Sequence, residues 1–369
     1  MSELHSALFY WDTYFTNEGL ILSDKLDYAI DNVENIAYLI NKYGFMPNGN
    51  RTYFLNRSQP PFFSLMVKQI YEITRDKAWL SRMYQTILTE WSFWQNQRMT
   101  DIGLNQYSHT LGDIETAEFL DESYLKRRIP FYNKKDRESV YKLNVFHNVV
   151  CESGWDCTSR IQIENSSYAW IDLNALLYGM ERDMAYFADE LGVDGAEWTE
   201  RSERRGELIF NYLWNEERKM FCDYDLGNGR KSDLLTAAAY YPLFVGMADE
   251  KQARAMVEKL SLLDFEFGLS ATEKRDDLLD FQWDYPVGWA PLHYIIIKGL
   301  ENYGYHAEGV RIAEKYCKIV ENAFEKTGDV WEKYNVLTGK PAACEGVEHP
   351  MMGWSAGTYL WCRKFADEG

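Results

Sequence analysis

The chain has 369 residues, of which 46% are apolar, and this suffices for one large domain or two of medium size. Its formal net charge of −18 argues against DNA, RNA and anionic membrane surfaces as partners, because their phosphates would repel it. That charge suits a neutral or cationic small molecule as the substrate.

Neither a membrane span nor a signal peptide is expected. The chain has no run of about 18 apolar residues, and its first residues, MSELHSALFYWDTYF, lack a basic segment followed by an apolar one. The six cysteines show no CxxC or Cys/His spacing of a metal site, which predicts free thiols, no metal and no cofactor. These features together predict a cytoplasmic protein and leave its oligomeric state open.

Helical periodicity dominates the chain. Over residues 26–42 the apolar side chains fall at positions 26, 29, 30, 33, 36, 37, 39 and 40, which is the stripe of an amphipathic helix. Further helices are predicted, in chain order, at residues 64–74, 79–95, 173–191, 197–213, 251–260, 291–302, 307–324 and 353–363. Sustained alternation of apolar and polar residues is missing, so no sheet of any size is expected.

The helical pattern predicts a single all-α domain over residues 1–369, with about ten to twelve helices. Periodicity alone does not decide whether the helix pairs form an open solenoid or a closed ring. Residues 101–142 differ from the rest because they are polar, irregular and rich in charge. Since loops of that length are usually functional, we predict that this segment is an excursion over one mouth of the helical barrel.

Five segments combine aromatic and polar residues, and we expect them to be loops. They are FYWDTYF at 9–15, MPNGNRTYFLNRSQPP at 46–61, ESGWDCTSR at 152–160, FQWDYPVGWAP at 281–291, and DVWEKYN at 329–335, which GVEHPMMGW follows at 346–354. The chain carries 13 Trp, 26 Tyr and 19 Phe, more than packing usually needs, and such rings can stack on sugar faces. The third segment contains Asp156 and the fifth contains Glu332. Because these two acids are far apart in the sequence, they can meet only if the chain returns to the same mouth of a closed helical barrel.

The five segments resemble, in the same order, the motifs of the trehalases of glycoside hydrolase family 37. The resemblance covers nearly the whole chain and implies an (α/α)6 toroid that cleaves α,α-trehalose into two glucoses with inversion. It implies that Asp156 is the general acid and Glu332 the general base. The residues that it assigns to substrate binding are Trp11, Asp12, Asn48, Arg57, Ser58, Gln59, Gly154, Trp283, Asp284 and Glu348.

Ordinary structural roles remain open for these residues. Asp156 could cap a helix, and Glu332 could form a solvated charge pair with the lysine that follows it. Arg57 could hold a helix terminus. In an arbitrary helical protein, Trp11 and Trp283 would more often be core residues than sugar platforms, although each of them precedes an aspartate here.

Several parts of the family pattern are missing. SELHSALF stands where the first signature carries an arginine, and no Arg-Pro-Glu-Ser-type segment is recognisable between residues 101 and 150, where Arg127 and Arg128 are the nearest candidates. TGKPAACEGVEHP replaces a glycine-rich lid, and the family's last glutamate maps onto Glu348 rather than Glu345. The glycosyl side of the site is therefore expected to be intact and the leaving-group side depleted.

Two alternatives stay open for the function. The first is a related α-glycosidase that acts on another α-linked disaccharide or glycoside, for example glucosyl- or mannosylglycerate. The second is a sugar-binding protein that has lost turnover.

Overall fold

The computed structural model describes residues 7–118, 136–343, 350 and 353–368. Its helices are α1 (Tyr10–Leu22), α2 (Leu26–Tyr43), α3 (Phe63–Thr74), α4 (Lys77–Gln97), α5 (Asp113–Glu118), α6 (Arg137–Glu152), α7 (Ile171–Leu191), α8 (Ala196–Leu213), α9 (Tyr241–Phe244), α10 (Glu250–Lys259), α11 (Ala290–Asn302), α12 (His306–Thr327) and α13 (Gly353–Glu368). Short 3-10 turns cover Thr52–Phe54, Ala237–Tyr240 and Leu260–Leu262.

The strands are two or three residues long. They are β1 (Tyr168–Ala169), β2 (Trp214–Asn215), β3 (Met220–Phe221), β4 (Tyr224–Asp225), β5 (Arg230–Lys231), β6 (Asp264–Phe265), β7 (Gly268–Leu269), β8 (Val287–Trp289), β9 (Lys333–Asn335) and β10 (Lys340–Pro341). The sheets have the orders β1-β4-β5, β10-β9-β8, β2-β3 and β6-β7, and their pairs are antiparallel. As expected, the described residues contain no large sheet.

Helices α1, α3, α7, α9, α11 and α13 form a closed inner ring, because each of them packs against the next and α13 packs against α1. Of the other described helices, α2, α4, α8, α10 and α12 pack outside this ring. The outer helix α2 buries a single stripe, whereas α7 and α11 are buried on most sides. The predicted (α/α)6 toroid is confirmed.

The ring closes through a direct backbone contact between α1 and α13. A Cβ atom on Gly357 would lie 2.0 Å from the carbonyl oxygen of Phe15, and one on Gly19 would lie 2.7 Å from the Cα of Gly357. Only glycine permits two helices to approach this closely.

Helices predicted from apolar stripes are present with ends within a few residues of those expected. The expectation that FYWDTYF forms a loop is wrong, because Tyr10–Leu22 is an inner helix. Its residues are buried on several sides, and such a helix shows no clear stripe. The predicted irregular segment at residues 101–142 contains one helix, residues 113–118, and the beginning of another, residues 137–152.

Asp136 caps the N-terminus of helix α6, because its carboxylate accepts a hydrogen bond from the backbone N–H of Ser139 at 2.8 Å. Residues 119–135, with Arg127 and Arg128, lie outside the described residues, so the predicted excursion is described only at its two ends. None of the helices described is both long enough and apolar enough to cross a membrane.

Candidate active site

The described residues of the five motifs lie at one end of the ring, because each motif stands at the start of an inner helix or in the segment that leads into one. Those helices are α1, α3, α7, α11 and α13. Two contacts show how closely the motifs approach one another. Gln59 Oε1 accepts a hydrogen bond from the backbone N–H of Trp11 at 3.3 Å, and Asn48 Nδ2 donates one to the carbonyl oxygen of Cys151 at 2.9 Å.

This end of the ring carries three carboxyl groups from distant parts of the chain, those of Asp12, Asp156 and Glu332. Burial raises the pKa of Asp12 to about 8, and the negative charges of Glu332 and Asp156 add to the rise, against a backbone hydrogen bond that lowers it. Because both charges act on Asp12, the carboxylates of Asp156 and Glu332 both lie near Asp12. Asp12 is therefore mostly protonated at neutral pH.

Five tryptophans pack together beside these acids: Trp11, Trp155, Trp283, Trp289 and Trp354. The rings of Trp283 and Trp289 are stacked with centroids 3.8 Å apart, and Trp155 stacks on Trp283 at 5.2 Å. Trp11 lies 5.9 Å from Trp283, and Trp354 meets Trp11 edge-on at 5.7 Å. Trp11 and Trp283 are thus members of a packed wall, with only 1% and 2% of their surface exposed.

Glu332 does not form a solvated charge pair. Its partner Lys333 is 1% exposed, and its ammonium group contacts the Glu332 carboxylate. Pairing of β8 with β9 sets Lys333 opposite Trp289, and the Lys333 Nζ lies 4.8 Å from the centre of the Trp289 ring. A buried ammonium group in this position stabilises the negative charge of the carboxylate.

In the 46–61 loop, three of the predicted sugar-binding residues bond to the protein itself. Asn48 Nδ2 donates to the carbonyl of Ser58 at 3.0 Å, and Ser58 Oγ donates to the carbonyl of Met46 at 2.7 Å. Gln59 Oε1 accepts from the backbone N–H of Tyr10 at 3.0 Å and so caps the start of α1. These bonds fix the loop against α1.

Arg57 lies in the same loop, and part of its guanidinium group makes no hydrogen bond to the described residues. Its Nη1 donates to Asn56 Oδ1 at 3.0 Å and to Asn148 Oδ1 at 3.3 Å. The Nε atom is buried and has no hydrogen-bond partner among the described residues. A buried donor of this kind suits a ligand hydroxyl.

The loop that carries Asp156 packs tightly against α1. Gly154 has a φ of +75°, and a Cβ atom there would lie 2.8 Å from the Trp11 ring. The carboxylate of Asp284 accepts hydrogen bonds from this loop, at 2.9 Å from the backbone N–H of Ser159. Burial raises the pKa of Asp284 to about 6, although the bonds from Ser159 and its other partners lower it.

Two residues of the ESGWDCTSR motif, Glu152 and Arg160, form buried ion pairs that were not singled out from the sequence. Glu152 accepts two hydrogen bonds from Arg98 at 2.8 Å and a third from the backbone N–H of Ser58 at 2.7 Å. Arg160 pairs with Asp172 and Asp223, and its guanidinium lies between the rings of Trp155 and Trp170, at 4.5 and 4.7 Å. Such buried pairs hold the loop in place. In the sequence, the one feature that indicated them was a charged residue inside an aromatic motif.

The predicted site residue Glu348 lies outside the described residues, so its position stays a prediction. The described residues contain no group of three His, Cys, Asp or Glu side chains that could hold a metal ion.

The trehalase family model matches residues 5–365. A putative periplasmic trehalase of Salmonella typhi is 31% identical over 379 residues, which cover 96% of this chain and 65% of that protein. The periplasmic trehalase of Salmonella newport (strain SL254) is 32% identical, with 96% and 65% covered. The chain thus spans just under two thirds of the length of these relatives.

Among solved structures, the neutral trehalase of Saccharomyces cerevisiae superposes with a TM-score of 0.85 at 30% identity, covering 97% of this chain and 72% of that one. A mannosylglycerate hydrolase from Thermus thermophilus has a TM-score of 0.70 at 18% identity, with 96% and 92% covered, and shares the fold.

The predicted cytoplasmic location is wrong, because the curated relatives are named periplasmic trehalases. That prediction depended on the first residues of the chain and on the spacing of the cysteines. Cys222, Cys317 and Cys362 are buried. Thiols enclosed in a core are a consequence of packing and do not report the redox state of a compartment.

Proposed function

Because this chain belongs to the trehalase family, we propose that it is an inverting glycoside hydrolase that cleaves α,α-trehalose into two glucoses. Asp156 is the general acid in this proposal and Glu332 the general base. The observation that supports it is the electrostatic effect of both carboxylates on Asp12, which indicates that both lie near Asp12 although 176 positions separate them in the sequence (332 − 156).

In the proposed reaction, Asp156 gives its proton to the glycosidic oxygen while Glu332 removes a proton from a water molecule. The water oxygen bonds to the anomeric carbon from the face opposite the leaving group, and the bond from that carbon to the glycosidic oxygen breaks. Inverting enzymes hold the two carboxyl groups roughly 6.5–9.5 Å apart to leave room for the water. The ammonium group of Lys333 contacts the carboxylate of Glu332, the proposed base.

We propose that the glycosyl unit binds between Asp12, Arg57 and the tryptophan wall. The protonated Asp12 offers an O–H donor to a sugar hydroxyl, and the buried Nε of Arg57 offers an N–H donor. Asn48, Ser58, Gln59 and Gly154 support this arrangement by fixing the two loops against α1. A periplasmic location is part of the proposal, on the names of the relatives.

The experiment is hydrolysis of a panel of α-linked glycosides by the purified protein, including trehalose, glucosylglycerate and mannosylglycerate. Trehalose should give the highest kcat/KM. Asp156→Asn and Glu332→Gln should each lower kcat by about 10²–10⁴-fold at an unchanged melting temperature, because each removes a proton-transfer group. The exposed Asp277 provides a matched control, since Asp277→Asn should leave kcat unchanged. Higher kcat/KM on another glycoside would refute the assignment to trehalose.

A further inference from the structure

Residues 282–284, the tripeptide Gln-Trp-Asp, run alongside the loop that carries Asp156. Gln282 Nε2 donates a hydrogen bond to the carbonyl oxygen of Asp156 at 2.8 Å. The backbone N–H of Trp283 donates to the carbonyl of Cys157 at 3.3 Å. The ring of Trp283 also stacks on that of Trp155. The tripeptide thus contacts consecutive residues on both sides of Asp156.

Asp284 completes this set of contacts. Its Oδ2 accepts from Ser159 Oγ at 2.5 Å and from the backbone N–H of Phe281 at 3.1 Å. Its Oδ1 accepts from the backbone N–H of Ser159 at 2.9 Å and from Thr158 Oγ1 at 3.3 Å. A carboxylate has about four acceptor positions, so these protein donors occupy them all. With no exposed surface, Asp284 has nothing left to offer a sugar hydroxyl.

The backbone of the loop needs such support. Cys157, directly after Asp156, has a φ of +63°, and Gly154 has a φ of +75°. A residue other than glycine is strained in this left-handed region, and it persists there only where its surroundings impose the conformation. The hydrogen bond from Trp283 to the Cys157 carbonyl acts on the strained residue itself.

We propose that Gln282 and Asp284 are positioning residues that hold the Asp156 carboxyl group against the leaving oxygen, and that neither of them touches the sugar. This inference rests on the proposed function, in which Asp156 is the general acid. It differs from the sequence-based expectation that Asp284 binds substrate.

The test compares two substrates in the full-length protein, trehalose and α-D-glucosyl fluoride. The glucose leaving group of trehalose needs a proton from the acid, whereas fluoride leaves without one. Gln282→Leu and Asp284→Asn should therefore lower kcat for trehalose by about 100-fold and kcat for the fluoride by less than about threefold. KM for trehalose should stay within about threefold, since no sugar contact is lost.

Asp156→Asn should give the same pattern more strongly and is the positive control. Gln252→Leu removes a partly buried side-chain hydrogen bond, from the backbone N–H of Asp249, in the remote helix α10, and it should leave the ratio of the two activities unchanged. An equal loss on both substrates, or a rise in KM alone, would show that Asp284 or Gln282 binds sugar or that the fold is damaged, and either overturns the inference. Full activity of both variants also overturns it. A wild-type protein inert on both substrates would instead overturn the proposed function.

Discussion

The buried ammonium group of Lys333 contacts the carboxylate of the proposed base Glu332. The sequence allowed a solvated pair, because nothing in it shows whether a lysine beside a glutamate is buried. The burial arises from the pairing of Lys333 with Trp289 across β8 and β9, two strands more than forty positions apart in sequence. Contacts of this kind cannot be inferred from adjacent residues.

Replacing Lys333 by methionine should lower kcat by roughly 10- to 100-fold, because a hydrogen bond to a charged group contributes about 1.5–3 kcal/mol. Lys333→Arg should restore part of the loss, since it returns the positive charge. The matched control is Lys340→Met, an exposed lysine in the neighbouring strand β10, which should behave as wild type. Steady-state kinetics on trehalose provides the measurement, and unchanged kcat in Lys333→Met would refute this role.

Asp12 predicts a pH dependence of binding. Its pKa of about 8 leaves it protonated at neutral pH and ionised at higher pH, where it loses its O–H donor and adds a negative charge to the cavity. KM for trehalose should therefore rise as the pH increases through about 8. Asp12→Asn is neutral at every pH and should show a flat KM over the same range. Identical pH profiles of KM for the two proteins would contradict the prediction.

At the scale of elements, Glu90 of α4 ties three helices together. Its Oε1 accepts a hydrogen bond from the hydroxyl of Tyr10 in α1 at 2.6 Å, and that hydroxyl accepts one from the backbone N–H of Phe63 at the start of α3. Burial raises the pKa of Glu90 to about 8, although its hydrogen bond with Tyr10 lowers it. The carboxyl group is therefore largely protonated in the folded protein at neutral pH.

This shift predicts that stability declines as the pH rises. In the unfolded chain a glutamate ionises near pH 4.5, and in the folded protein Glu90 does so near pH 8, so the folded state binds more protons between these values. The contribution of Glu90 to the free energy of unfolding is complete below about pH 4.5 and is lost as the pH rises to about 8, on the order of 5 kcal/mol in all. Urea unfolding at about pH 5 and about pH 9 should show a smaller decline for Glu90→Gln. The exposed Glu72→Gln, as control, should decline like wild type.

Some helices could be predicted from the sequence and others could not. The helix at residues 26–42 was predictable because its outer position leaves one apolar stripe, and α2 follows it closely. Helix α1 was missed because an inner helix is buried on several sides and shows no stripe. The motifs identified the loops around Asp156 and Trp283, but the hydrogen bonds between these loops join distant segments. These hydrogen bonds form only because the closed ring brings the two loops together, so the sequence alone could not predict them.

For the whole molecule, ring closure depends on the contact between α1 and α13. Gly357→Ala should destabilise the protein strongly, because its methyl group would lie 2.0 Å from a carbonyl oxygen that belongs to the backbone and cannot rotate away. The matched control is Gly206→Ala in the outer helix α8, where the nearest atom is 3.5 Å away in the Tyr178 ring. That change should raise stability by about 0.4–1 kcal/mol. Equal melting temperatures of the two variants would refute the account of closure.

The stereochemistry of the first products tests the central claim most directly. Trehalose consists of two α-linked glucoses, and an inverting hydrolase with Asp156 as acid and Glu332 as base releases one as the β anomer and the other as the α anomer. Proton NMR within the first minutes of hydrolysis, before mutarotation, should therefore show the two anomers in equal amounts. Initial release of α-glucose alone would mean retention, and the roles given to Asp156 and Glu332 would then be wrong.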